Sequence, residues 1–63
     1  MAGEARFADV RRLLERAGYS LVRVAGSHHI FTRPGCELLS IPVHRGKVKA
    51  FYVRRIKKII QED

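Results

Sequence analysis

Three histidines, at positions 28, 29 and 44, are the side chains of this 63-residue sequence best suited to proton chemistry near neutral pH. Imidazole titrates in the physiological range, so it can take up or release a proton without help from a metal. Two of the three stand together in "GSHHIF", directly after Gly26-Ser27. The third closes "IPVH" and is followed by the basic run "RGKVK". In a strand, adjacent side chains point to opposite faces, so His28 and His29 should diverge and cannot easily grip one ion together. Cys36 is the only cysteine and no ligand-spaced pair accompanies His44, so no metal and no cofactor are expected. Ser27 lacks a recognisable carboxylate partner for a Ser-His-Asp set and reads as a turn residue.

A histidine among cations suits a substrate that brings its own nucleophile. RNA does so in its 2′-hydroxyl. A base for that proton, cations for the charge that builds on the phosphate, and an acid for the leaving oxygen are enough to cut the strand. The cations are present. Thirteen Lys and Arg stand against six Asp and Glu, a net charge of +7. From Leu38 through Ile60 there is no acid, while Arg45, Lys47, Lys49, Arg54, Arg55, Lys57 and Lys58 supply seven positive charges. A one-sided cationic surface attracts phosphates and releases counterions on binding them. Arg45, Lys47, Lys49, Arg54, Arg55 and Lys58 are the candidate RNA contacts. Phe31, Phe51 and Tyr52 could stack on bases, although Phe31 and Tyr52 each lie on an apolar stripe and are assigned to the core. Tyr19, just beyond the first helix, is assigned a structural role.

The elements that must position these residues follow from periodicity. Residues 7 to 17 repeat apolar positions at Phe7, Val10, Leu14 and Ala17, which predicts a helix ended by a left-handed cap at Gly18. Residues 19 to 25 are rich in aromatic and β-branched types and predict a strand. Gly26-Ser27 then makes residues 28 to 33 the returning arm of a hairpin, before Pro34-Gly35 breaks the chain. Residues 37 to 43 alternate Leu39, Ile41 and Val43 on one face as a third strand, with Pro42 placed at a sheet edge. From about Val48 the stripe Val48, Tyr52, Ile56 and Ile59 predicts a closing helix with a basic outer face. The expected fold is α+β: an α-β-β-β-α order in which two helices cover one face of a three-stranded antiparallel sheet.

Size bounds the rest. A chain of 63 residues is expected to be a single domain, spanning residues 1–63, with a core too small for a large enclosed cavity. Any site should be shallow and open to a large substrate. No apolar run approaches the roughly 20 residues of a membrane helix, and "MAGEARF" lacks the apolar segment of an export signal. A cytoplasmic location and no membrane partner are expected.

The leading "LLERAGY", the "GSHHIF" hairpin, "IPVH" with its basic Gly-Lys turn, and the closing basic helix together resemble the HicA family of small mRNA interferase toxins. The resemblance spans roughly residues 7 to 60, and the Gly-Ser-His element is its most specific part. It implies a double-stranded-RNA-binding-domain-like fold, endonucleolytic cleavage of mRNA and a HicB-type antitoxin that blocks the toxin in a complex. It places the family's essential histidine at His28 and matches His44 to the histidine of a "P-x-H" element, while His29 falls at a variable position. One departure is Phe51-Tyr52, where many members have Gly-Thr at the start of the last helix.

Two other classes compete with the toxin ribonuclease. A non-catalytic RNA-binding module of the same shape would keep the basic face and give His28 no chemical duty. A protein-interaction piece would turn its cations to an acidic partner, and its RNA binding would depend only weakly on salt.

Overall fold

The computed structural model describes residues 3–61; residues 1, 2, 62 and 63 lie outside the description. The helical spacing of Phe7, Val10 and Leu14 is realised in α1, Phe7–Arg16, which buries Val10 and Leu14. Its outer face is laced by Arg11–Glu15 at 3.0 Å and Arg12–Asp9 at 4.0 Å, with Arg6–Asp9 at 3.5 Å at the helix start. Gly18, at φ +97°, ends the helix. Its N–H reaches the Glu15 carbonyl while the Tyr19 N–H reaches back to Leu14, both at 3.0 Å. These two bonds form a Schellman cap. Arg33 completes it: one guidinium N–H donates to the Ala17 carbonyl at 2.8 Å, and the group lies 5.2 Å from the Tyr19 ring centre.

Three strands follow: β2, Ser20–Ala25; β3, His28–Thr32; and β4, Leu39–Pro42. They form one antiparallel sheet in the order β2-β3-β4. Gly26 has φ +62° while Ser27 is not in the left-handed region. That sign pattern suits a type II′ hairpin turn between β2 and β3. At Arg33-Pro34-Gly35-Cys36, Gly35 sits at φ +79° and the Cys36 N–H bonds the Arg33 carbonyl at 3.0 Å, as in a type II turn. β4 has β3 as its one neighbour, so Pro42 lies on an edge strand, where a missing N–H costs no ladder bond.

The pairing of β2 with β3 shifts between Leu21 and Arg23. Val22 is the extra residue of a β-bulge. Before it, Leu21 faces Phe31 on the covered side of the sheet. After it, Arg23 pairs with Ile30 on the open side, so Val24 moves to the row of His29 and Ile41.

Both helices pack on the covered face. Val10 and Leu14 of α1, Phe31 and Ile41 of the sheet, and Ile56 of α2, Ala50–Gln61, share one core with Tyr19 and Val48. The fold is α+β with the order α-β-β-β-α through its main elements. Two short strands add to the expected set. β1, Ala5–Arg6, pairs antiparallel with β5, Lys47–Val48. The last helix therefore starts at Ala50 rather than Val48, whose fully buried side chain belongs to β5. The third strand is also shorter than residues 37 to 43: Glu37 and Leu38 precede its pairing, and Val43 follows it.

Candidate active site

His28 opens β3 opposite Pro42 of the edge strand. One residue earlier, the Ser27 carbonyl accepts the Val43 N–H at 2.7 Å and ties the hairpin turn to the segment leaving β4. That segment reaches His44, where the chain reverses. His44 and Lys47 exchange two backbone hydrogen bonds, at 3.0 and 2.9 Å. Arg45 and Gly46 between them sit at φ +54° and +76°. Two successive positive φ values define a type I′ turn, the form whose twist matches flanking strands. The reversal holds His44 at the end of the sheet where His28 begins.

An open pocket of about 280 Å³ lies at this corner, lined by Ser27, His28, Pro42, His44, Lys49 and Tyr52. His28, His44 and Lys49 are exposed. Lys49 immediately precedes α2, and its carbonyl accepts the N–H groups of Tyr52 and Val53 at 3.0 and 3.2 Å. The first turn of α2 therefore borders the pocket. Helix geometry leaves the Ala50 and Phe51 N–H groups without intrahelical partners. With the positive end of the helix dipole and the Lys49 ammonium, they make this wall suited to an anion.

The other candidates lie around this corner and along α2. Arg45 is in the turn beside His44, Lys47 is in β5, and both are exposed. Arg54, Arg55 and Lys58 are exposed on α2. Arg55 borders a second, smaller pocket of about 150 Å³ between β4 and α2, whose walls include Leu39, Ile41, Ile56 and Ile59. Tyr52 borders both pockets. The three ion pairs of the described residues all lie on Arg6 and α1. None engages the cations of residues 45–58.

His29 goes the other way. Its ring centre is 4.4 Å from that of Phe7, and its Nδ1 is buried without a hydrogen-bond partner. Strand alternation thus separates the two adjacent histidines: one is exposed at the pocket, the other packs under α1. Tyr52 is the pocket residue that the apolar pattern conceals. It packs against the core as its stripe requires, yet also lines the wall beside His28 and His44. The available signal is its place one helical turn after Lys49. Among the described residues, no three His, Cys, Asp or Glu side chains gather to hold a metal ion.

The family profile described as HicA toxin of bacterial toxin-antitoxin matches residues 7–61. The chain belongs to the HicA toxin family. The match runs from the first residue of α1 to the last of α2, so the whole HicA profile region contains the pocket. As a HicA toxin, the chain is the toxin of a toxin-antitoxin system, its partner is an antitoxin, and its class of activity is that of a nuclease. No curated protein and no solved structure matches it significantly. Among the described residues, no helix is long and apolar enough to cross a membrane.

Proposed function

We propose that this HicA toxin is a metal-independent endoribonuclease that cuts mRNA in the cytoplasm, with His28 and His44 as its proton carriers. The observation that supports this reading is the shared pocket: two exposed imidazoles beside Lys49, at the point where α2 begins. Lys49, with the positive end of the α2 dipole behind it, holds the scissile phosphate. His28, neutral, takes the proton from the 2′-hydroxyl as its oxygen bonds to phosphorus. Negative charge builds on the non-bridging oxygens, where the ammonium and amide dipoles oppose it. The bond from phosphorus to the 5′-oxygen breaks, and His44, protonated, gives that oxygen its proton. The products are a 2′,3′-cyclic phosphate and a 5′-hydroxyl, and each histidine ends in the other's starting state.

Arg45, Lys47, Arg54, Arg55 and Lys58 extend the cationic track and hold the strand on either side of the cut. A HicB-type antitoxin that covers the pocket would inhibit the toxin by excluding RNA.

End-group analysis tests the chemistry. RNA treated with the wild-type chain should carry 2′,3′-cyclic phosphates and 5′-hydroxyls at new ends, and an equimolar HicB-type antitoxin should suppress them. New 5′-phosphates would show a water nucleophile and refute the 2′-hydroxyl route.

A further inference from the structure

We infer that Phe51 is a stacking platform for one unpaired nucleobase, a binding subsite that restricts this surface to single-stranded RNA. The inference deepens the RNA reading above and rests on it. α2 meets the core through Tyr52, Val53, Ile56 and Ile60. Phe51 contributes nothing to that face and is 56 % exposed. An exposed phenyl on this helix of twelve residues adds no burial to the core and leaves apolar ring surface that a partner can cover.

Its neighbours indicate what does. Residues three, four and seven positions on share its face of the helix, and these are Arg54, Arg55 and Lys58, all exposed. None has an ion-pair partner among the described residues. An aromatic face set among cations is the composition that holds single strands: cations track the phosphates and the ring takes a base. The ring is also oriented. It forms a T-shaped pair with Tyr52, with centres 5.2 Å apart and planes at 82°. Since Tyr52 lines the pocket of His28 and His44, the stacked base belongs to a nucleotide neighbouring the cleaved linkage. A duplex cannot use this platform, because its bases are already stacked on one another.

Equilibrium binding to a short 2′-fluoro RNA, which lacks the nucleophile, tests this without cleavage. Phe51→Ala and Phe51→Leu should each weaken single-strand binding on the order of tenfold, and Phe51→Trp should retain it. Binding to the duplex of the same sequence should not change. One abasic position should weaken wild-type binding and leave Phe51→Ala unaffected. Alanine is a better helix former than phenylalanine, so circular dichroism should report intact variants. Equal single-strand affinity of wild type and Phe51→Ala would overturn the inference, even if antitoxin binding alone weakened. So would wild-type affinity in Phe51→Leu, which would mark a merely apolar contact. A chain that binds through Phe51 yet cuts no RNA would refute the nuclease reading and uphold this one.

Discussion

His28 and His44 reach one pocket by different routes, and their proposed duties can be separated chemically. His28 comes from the first residue of β3, His44 from the residue that opens the type I′ turn. Loss of either proton carrier should cost about 10²- to 10⁴-fold in cleavage rate. A substrate with sulfur in place of the 5′-oxygen needs no acid for its leaving group. It should restore cleavage by His44→Ala and leave His28→Ala inactive. Rescue of both variants, or of neither, would contradict the assignment.

Arg45 is the strained residue of the site. A non-glycine residue at φ +54° is disfavoured by contact between its Cβ and backbone. Strain of this kind persists where the surrounding structure or function holds it. Arg45→Asn keeps the turn and suits the left-handed region better. Thermal melts should show equal or greater stability, by up to about 1 kcal/mol, while RNA affinity falls through loss of the cation.

At the scale of elements, the cap of α1 joins helix to sheet through one glycine. A Cβ on Gly18 would lie 3.1 Å from Arg33 Cδ and would demand φ +97° of an alanine. Gly18→Ala should destabilise by about 1–2 kcal/mol, and each kcal/mol lowers the Tm by roughly 4–8 °C in a domain of this size. A Tm unchanged in Gly18→Ala would show that the cap contributes little.

The glycines and prolines made this level largely readable from sequence. Gly18 marked the end of α1, Gly26-Ser27 the hairpin, and Pro42 the edge. What stayed hidden lacks a periodic signal. Strands of two residues have too few positions to alternate, so β1 and β5 are invisible to pattern. Val48 misleads for a related reason: it stands four residues before Tyr52, the spacing of a helix, while its pairing with Ala5 makes it a strand residue. The bulge at Val22 likewise leaves no mark in "SLVRVA", where strict alternation sets Leu21 and Arg23 on one face. The three histidines were legible as candidates. The meeting of His28 with His44 and Tyr52 was not, because it depends on a turn and a helix start that only tertiary pairing fixes.

At the scale of the molecule, charge is partitioned. The acids of α1, Asp9 and Glu15, neutralise arginines beside them, while the stretch 38–60 carries cations without a single carboxylate. RNA binding should therefore weaken steeply with salt. If the six candidate cations each meet a phosphate, log K against log salt should slope at about −4 for a single strand. Lys58→Ala should flatten that slope by about 0.7, whereas Phe51→Ala should lower affinity and leave the slope alone. A flat salt dependence would favour a protein partner for this surface.

In the proposed reaction the His28 imidazole moves a proton at an RNA linkage with no metal required. Incubating a long mRNA with the purified wild-type chain and with folded His28→Ala, both in excess EDTA, tests it most directly. The wild type should yield fragments and His28→Ala should leave the RNA intact; equal cleavage by the two, or intact RNA with both, would contradict that role for His28.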